Sequence, residues 1–197
     1  SCNAATRMLV QRRVYDQAVE IAAAKANATK VDLPSNSGNP IAPLVSEAQF
    51  NKVQSMIQAG IDEGARLVAG GVGRPEGMNR GWFVKPTVFA DATADMTIIR
   101  EEIFGPVLAL MPFDSEEEAI ALANDTPYGL AAYIQTGDKE RAKRVAARLR
   151  AGMIQVNGAS RAAGSPFGGY KQSGVGREGG FWGIEEFLEI KTISGIV

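Results

Sequence analysis

Histidine is absent from the 197 residues, and cysteine occurs once, as Cys2. Without histidine the chain can form neither a Ser-His-Asp triad nor a Cys-His pair, and it offers no imidazole to a metal ion. A single cysteine allows no intrachain disulfide and supplies at most one thiolate to a zinc or iron–sulfur site. We therefore expect no bound metal, and any acid–base chemistry must use carboxylates, amines, phenols or the thiol.

Long apolar runs and an excess of charge are also lacking. No stretch approaches the ~18 apolar residues of a membrane-spanning helix, and 21 basic against 22 acidic residues give a formal net charge of −1. The basic segment 139–150 has an apolar face at helical spacing and no aromatic residue between its charges, which is typical of an ordinary amphipathic helix. We expect no membrane or nucleic-acid partner, and the lone free thiol favours a cytoplasmic location.

Helical and strand patterns alternate along the chain, which predicts an α/β fold. Capping boxes at Ser46 with Gln49 and at Ser115 with Glu118 mark two helix starts, and Asp138 can cap a third helix. The predicted helices cover 14–27, 46–63, 115–124 and 139–150. The predicted strands cover 6–11, 66–69, 83–89, 107–112, 130–135, 153–156 and 187–197, and Pro86 favours an edge strand or a bulge for the third.

Glycine is concentrated near the C-terminus, with ten glycines between Gly152 and Gly183. This composition predicts mostly irregular backbone over that segment. The stretch 174–179 fits the G-x-G-x-x-G pattern, but no predicted strand precedes it, and the chain ends 18 residues later. We therefore reject a dinucleotide-binding fingerprint and assign these glycines to close backbone packing.

Two features could carry chemistry on residue type alone. The Cys2 thiol is a candidate nucleophile, although a lone cysteine is often only a small buried apolar residue. The segment 101–106 joins two glutamates to an apolar Gly-Pro turn, so that a carboxylate there could accept hydrogen bonds from ligand hydroxyls, or the segment could simply end a helix.

Several motifs, taken in order, resemble the aldehyde dehydrogenase superfamily over essentially the whole chain. Besides Cys2 followed by Ala5-Thr6-Arg7, they are Lys85-Pro86-Thr87-Val88, Glu102-Ile103-Phe104-Gly105-Pro106-Val107, Pro127-Tyr128-Gly129-Leu130-Ala131 and Pro166-Phe167-Gly168-Gly169-Tyr170-Lys171-Gln172-Ser173-Gly174.

The resemblance implies an open α/β sheet with flanking helices, of the catalytic-domain type of that family, over residues 1–186. Residues 187–197 would be the strand of an oligomerisation arm, and the full-length protein a homodimer or homotetramer. The chain begins without Met and with its only cysteine at position 2, so we expect a fragment that lacks the N-terminal NAD(P)-binding domain and is inactive alone.

The resemblance also implies the roles of individual residues. Cys2 would attack an aldehyde, hydride would pass to the nicotinamide of NAD or NADP, and water would release the acid from a thioester. Glu102 would bind the hydroxyls of the nicotinamide ribose, Phe104 would pack near the nicotinamide, and Phe167 would line the substrate funnel. Arg161 lies in the substrate-facing loop, where it would meet an acidic substrate tail or face solvent.

Arg177 and Glu189 match a pair of family residues, and we predict an ion pair between them.

The alternatives to aldehyde oxidation are a CoA-acylating aldehyde dehydrogenase, in which CoA takes the acyl group, and a non-catalytic structural or interaction fragment.

Overall fold

The computed structural model describes residues 1–38 and 40–195. The chain divides into two compact units, a larger one of Ala5–Asp125 and a smaller one that joins Ser1–Ala4 to Thr126–Val197. Each unit combines helices with an open, mostly parallel sheet, which confirms the predicted α/β class. The smaller unit continues past residue 186, and the division into a catalytic domain over residues 1–186 and an arm over 187–197 stays a prediction.

A four-stranded sheet organises the larger unit. Its strands are β1 (Arg7–Gln11), β2 (Arg66–Ala69), β3 (Thr87–Ala90) and β4 (Val107–Phe113), in the order β1-β4-β3-β2. Strand β4 runs parallel to both β1 and β3, whereas β2 pairs antiparallel with β3. The helices are α1 (Tyr15–Ala28, preceded by a 3-10 turn over Arg12–Val14), α2 (Glu47–Asp62), α3 (Thr97–Arg100) and α4 (Glu116–Asn124).

Strand β3 is buried along its whole length because helices cover both faces of the sheet. Phe89 is 0% exposed and packs in one core cluster with Val53 of α2. The next residue, Ala90, packs in a second cluster with Val19 of α1. Successive side chains of a strand point to opposite faces, so this short apolar strand contributes to both cores.

The bounds 83–89 and the edge position predicted for the third strand are wrong, whereas the alternative of a bulge agrees with a register shift between Leu67 and Ala69 in the pairing of β2 with β3. The strand begins only at Thr87, and β3 lies in the interior of the sheet. Pro86 has no N–H and precedes the first paired residue, while the Thr87 N–H donates to the carbonyl oxygen of Pro106 at 2.8 Å. Phe83 and Val84 are buried through side-chain packing and not through strand pairing.

Helix starts follow the predicted caps. The Ser46 hydroxyl accepts from the N–H of Gln49, and the Ser115 hydroxyl accepts from the N–H of Glu118. Only this half of each capping box forms, because the Glu118 carboxylate accepts from the N–H of Asp114. The side chain of Gln49 is also used elsewhere, as described below.

The smaller unit is built on a β-α-β segment. Strands β5 (Ala131–Ile134) and β6 (Met153–Val156) pair in parallel, and α5 (Lys139–Arg148) connects them. The Asp138 carboxylate caps α5 by accepting from the N–H groups of Glu140 and Arg141. These hydrogen bonds to the charged carboxylate lower the pKa of Asp138.

Beyond β6 the backbone is mostly irregular, as its glycine content predicts. It contains a 3-10 turn at Lys171–Ser173 and the short helix α6 (Gly180–Glu185). The strand predicted over 187–197 does not form in residues 187–195, and residues 196 and 197 lie outside the described residues. Turn hydrogen bonds join Phe187 to Ile184 and Leu188 to Glu185, and Ile190 is 97% exposed. A strand needs a neighbouring backbone to pair with, and the described residues supply none here.

Candidate functional site

Cys2 lies on a turn at the start of the smaller unit. The N–H of Ala4 donates to the carbonyl oxygen of Ser1 at 3.1 Å and closes the turn, and the Cys2 side chain is exposed. The hydroxyl of Tyr133 in β5 donates to the carbonyl oxygen of Asn3. A strand residue therefore fastens the irregular segment that carries the thiol.

Glu102 and Phe104 lie on a turn of the larger unit that belongs to no helix or strand. The two side chains are exposed, Phe104 at 47%, whereas Ile103 between them is 3% exposed and packs in the core. Phe104 has a φ of +56°, a conformation that costs energy for a residue other than glycine. The turn thus buries its middle side chain and exposes a carboxylate and an aromatic ring.

Phe167 and Arg161 come together in the smaller unit. The guanidinium carbon of Arg161 lies 5.6 Å from the centre of the Phe167 ring, within the range of a cation–π interaction. The backbone of Phe167 pairs with Glu178 through two hydrogen bonds of 2.7 Å. A paired backbone therefore holds the ring, and the ring contacts the arginine.

The five predicted site residues divide between the two units. Cys2, Arg161 and Phe167 belong to the smaller unit, and Glu102 and Phe104 belong to the larger one. An open cavity of about 460 Å³ lies in the smaller unit beside Phe167. Neither Cys2 nor Arg161 lines this cavity, so it does not collect the predicted residues.

The predicted ion pair between Arg177 and Glu189 is not formed among the described residues. Instead, the Arg177 guanidinium donates to the carbonyl oxygens of Gly169 and Gly176 at 2.8 and 2.9 Å. Its guanidinium carbon also lies 5.4 Å from the ring centre of Tyr170. Irregular backbone leaves carbonyl groups without strand partners, and the arginine satisfies two of them.

Sequence reasoning missed the side chains that hold the exposed turn of Glu102 and Phe104. The Lys52 ammonium in α2 donates to the carbonyl oxygen of Glu102 at 2.7 Å. The Gln49 amide, one turn earlier, donates to the carbonyl oxygens of Ile103 and Phe104 at 3.0 and 3.1 Å. Their spacing on one helix face was visible in the sequence, but the identity of their partners was not.

Arg7 supports the chain that follows Cys2. Its guanidinium donates to the carbonyl oxygens of Leu122 and Ala123 at the end of α4, at 3.3 and 3.0 Å. Burial lowers the pKa of Arg7, and the nearby carboxylate of Asp125 opposes that shift. Arginine stays protonated in proteins, so the charged side chain complements the negative end of the helix dipole.

The described residues were also searched for metal-binding clusters and membrane-spanning helices. Within residues 1–38 and 40–195, no cluster of three or more Cys, Asp or Glu side chains could hold a metal ion. No helix in the same part of the chain has the length and apolar character needed to span a bilayer.

Comparison with known proteins decides the family. The family model described as "Aldehyde dehydrogenase family" matches residues 1–193. The chain belongs to the aldehyde dehydrogenase family. Among solved structures, the aldehyde dehydrogenase of Bartonella henselae is 56% identical with a TM-score of 0.94, over 96% of this chain and 40% of that one.

Other members of the aldehyde dehydrogenase family are similar over the same region. A mutant of aldehyde dehydrogenase C from Pseudomonas syringae, solved with NAD⁺ and octanal, is 49% identical with a TM-score of 0.93, over 96% of this chain and 39% of that one. The 3-succinoylsemialdehyde-pyridine dehydrogenase of a Pseudomonas species is 49% identical over 99% of this chain and 41% of its own length. The chain thus spans about 41% of the length of the curated relatives it matches.

Proposed function

We propose that the polypeptide carrying this sequence oxidises an aldehyde to its carboxylic acid, with hydride transfer to NAD or NADP. The observation that carries the proposal is the family match over residues 1–193, which includes the exposed thiol of Cys2. Relatives solved with NAD⁺, one of them also with octanal, support the cofactor and the substrate class.

Cys2 is the proposed nucleophile. Its thiolate adds to the carbonyl carbon of the aldehyde, and the carbonyl electron pair moves onto oxygen to give a thiohemiacetal anion. When the anion re-forms its C=O bond, the hydrogen leaves with both electrons of its C–H bond as hydride, for which bound NAD or NADP would be the acceptor, and a thioester remains on Cys2. Water then attacks the thioester, the acid departs, and the thiol is restored.

The oxyanion needs preorganised hydrogen-bond donors before hydride can leave. The resemblance to the family implies that the backbone N–H of Cys2 is the donor that this chain would contribute. The N–H and the thiol of Cys2 belong to the same residue and move together with the turn. We therefore expect the hydrogen bond from the Tyr133 hydroxyl to the carbonyl oxygen of Asn3 to hold both groups in place.

The exposed turn of the larger unit fits the nicotinamide end of the cofactor, which serves as the hydride acceptor when bound. The Glu102 carboxylate can accept hydrogen bonds from two ribose hydroxyls, and the exposed Phe104 ring offers an apolar face to a flat heterocycle. Neither side chain is used by the core, since Ile103 alone of the three is buried.

Phe167 and Arg161 are the proposed substrate contacts. The Phe167 ring would form an apolar wall for the aldehyde's carbon chain. The exposed guanidinium of Arg161 would pair with a carboxylate at the far end of an acidic substrate. We keep the C-terminal segment from Phe187 as the proposed oligomerisation arm of a homodimer or homotetramer. The proposed location is the cytoplasm, which suits a free nucleophilic thiol.

The test uses the intact polypeptide with a panel of aldehydes and NAD⁺ or NADP⁺, comparing the parent with Cys2→Ala and Cys2→Ser. We expect both variants to lose NAD(P)H formation, and mass spectrometry of the parent to locate an acyl adduct on the peptide that contains Cys2. Iodoacetamide should modify this thiol faster than free cysteine.

The outcomes separate the alternatives. Turnover that survives in Cys2→Ala refutes the nucleophile. Acyl-CoA in place of the free acid, when CoA is added, identifies the acylating reaction. A parent that forms no NAD(P)H with any aldehyde, and whose thiol reacts no faster than free cysteine, indicates a structural role.

A further inference from the structure

A side chain extends the parallel pair of β5 and β6 beyond its last paired residues. The two strands pair up to Ile134 and Val156, and the N–H of Asn157 still donates to the carbonyl oxygen of Ile134 at 2.8 Å. If this ladder continued, the N–H of Thr136 would donate to the backbone carbonyl oxygen of Asn157. It donates instead to the side-chain Oδ1 of Asn157 at 2.9 Å, and Nδ2 of the same side chain donates to the carbonyl oxygen of Thr136 at 2.8 Å. These two hydrogen bonds, the Asn157 clamp, put an amide side chain in the place of a backbone peptide group.

The backbone leaves the sheet at the same residue. Asn157 and Gly158 have φ values of +51° and +74°, and the N–H of Ala159 donates to the carbonyl oxygen of Val156 at 3.1 Å. Positive φ at both central positions is the pattern of a type I′ turn, in which Asn-Gly is strongly preferred. The Asn157 clamp therefore holds the following segment, residues 158–165 or the exit loop, at the point where it begins.

The exit loop carries Arg161 to the Phe167 ring. Residues 157–165 belong to no helix or strand, and the N–H of Ser165 closes a second turn with a hydrogen bond of 3.1 Å. Between the two turns Arg161 reaches the ring of Phe167, as described above, while Phe167 is held separately by its own backbone pair. The place of Arg161 therefore depends on how the exit loop is held, whereas that of Phe167 does not.

The scaffold behind the Asn157 clamp is regular. The hydroxyl of Thr136 accepts from the N–H of Asp138 at 3.2 Å, and Asp138 caps α5. The clamp thus ties the exit loop both to β5 and to the start of α5, at the carboxyl ends of two parallel strands. In open α/β sheets ligands bind outside this edge, and functional loops depend on a rigid scaffold that positions them.

We propose that Asn157 is a positioning residue, which holds the exit loop so that Arg161 is presented to the far end of the substrate. This inference rests on the proposed function, in which Arg161 pairs with the carboxylate of an acidic aldehyde. Asparagine fits the role because its amide both accepts and donates, and because it tolerates positive φ. Loss of the clamp leaves β5, β6 and Phe167 in place, but Arg161 must then be ordered when the substrate binds.

Limited trypsin digestion of the intact polypeptide tests the clamp without a substrate. The variants are Asn157→Gly, which keeps the positive φ and removes both hydrogen bonds, and Asn157→Asp, which places a carboxylate against the carbonyl oxygen of Thr136. Asn79→Gly is the matched control, since Asn79 is exposed in an irregular segment of the larger unit. Proteolysis follows local opening, so we expect cleavage after Arg161 to be roughly five- to thirtyfold faster in Asn157→Gly, as the loss of two neutral hydrogen bonds implies. Cleavage should also be faster in Asn157→Asp and unchanged in the control.

Steady-state kinetics of the same variants test how Arg161 is presented. The substrates are succinic semialdehyde and butanal, which have equal carbon chains and differ in the terminal carboxylate, and Arg161→Gln is the reference. We expect the ratio of the KM for succinic semialdehyde to that for butanal to rise roughly two- to tenfold in Asn157→Gly, as the ordering of one long side chain implies. The double variant Asn157→Gly/Arg161→Gln should show a ratio no higher than Arg161→Gln alone. A merely structural role would instead change both KM values together.

The failures are distinguishable. A parent that oxidises neither aldehyde refutes the proposed function, and a KM ratio in Arg161→Gln equal to that of the parent refutes the proposed role of Arg161; the positioning role falls with either. A raised ratio in Arg161→Gln, together with a ratio in Asn157→Gly equal to that in Asn79→Gly, overturns the positioning role alone. Cleavage after Arg161 that is no faster in Asn157→Gly than in Asn79→Gly overturns the clamp itself.

Discussion

Gly152 at the start of β6 lies so close to another segment that the effect of a single methyl group can be worked out. A Cβ at this position would lie 1.9 Å from the carbonyl oxygen of Gly168 and 2.9 Å from the Cα of Gly169. Real Cβ contacts essentially never fall below 3.0 Å, so Gly152→Ala must separate the two segments by at least 1.1 Å, the difference between 3.0 and 1.9 Å. Such overpacking typically costs about 1–3 kcal/mol.

Hydrogen exchange measured by mass spectrometry reports this loss of stability separately for the smaller and the larger unit. The N–H groups of Gly152 and Tyr170 both donate to the carbonyl oxygen of Gly129, at 2.9 and 2.8 Å. A loss of about 1–3 kcal/mol accelerates their exchange by roughly 5- to 150-fold, while amides of β3 in the larger unit keep their rates.

The matched control is Gly137→Ala, where a Cβ meets no atom within 4 Å. Equal exchange in Gly152→Ala and Gly137→Ala would refute the close packing of the two segments. Because Phe167 adjoins Gly168, we also expect Gly152→Ala to raise the aldehyde KM of the intact polypeptide, and Gly137→Ala to leave it unchanged.

Two further predictions concern stability. Burial raises the pKa of Tyr15, whose hydroxyl donates to the carbonyl oxygen of Leu110. The protonated Tyr15 hydroxyl therefore makes its full contribution to the free energy of unfolding below the unfolded-state pKa of about 10. This contribution is lost as the pH rises through the raised folded-state pKa. The unfolding free energies of the parent and Tyr15→Phe should converge above about pH 10 in urea titrations; a constant difference contradicts this. Phe89→Ala should lower the unfolding free energy by about 3–5 kcal/mol, against less than ~0.5 kcal/mol for the exposed control Val45→Ala; a loss below ~1 kcal/mol at Phe89 would contradict its place in the core.

Helix positions were predictable because their signals are local. Ser46, Ser115 and Asp138 cap helices at the expected residues, since each side chain accepts from an N–H two or three positions along the chain. Such contacts depend on neighbours in sequence alone. The strands 66–69 and 153–156 were predicted with their observed bounds for a similar reason, as Gly64 and Gly152 mark the breaks before them.

The errors arose where the structure depends on distant partners. Phe83 and Val84 have strand composition, but Pro86 interrupts pairing and their side chains are buried by packing. Arg177 was paired with a carboxylate on motif grounds, whereas nearby irregular backbone offers it two carbonyl oxygens. The tail from Phe187 has alternating strand character, yet a strand forms only against a backbone edge.

The candidate site shows the same limit. Motifs could nominate Glu102 and Phe104, but Gln49 and Lys52 contact them across 50 to 55 positions of sequence. No local pattern states which carbonyl a helix side chain will meet after folding. The sequence therefore indicated which residues could perform the chemistry, and the fold was needed to find the residues that hold them.

Cys2, the turn of Glu102 and Phe104, and Phe167 each lie on irregular backbone that a side chain or a backbone pair fixes. Tyr133 of β5 braces the Cys2 turn, Gln49 and Lys52 of α2 brace the Glu102 turn, and Glu178 pairs with Phe167. Loops carry function when a rigid scaffold positions them. Because Tyr133 and Lys52 are exposed and contribute little to either core, removing them should cost little stability. Activity should therefore fall in such variants at nearly unchanged unfolding temperature, which separates the loss of positioning from the loss of the fold.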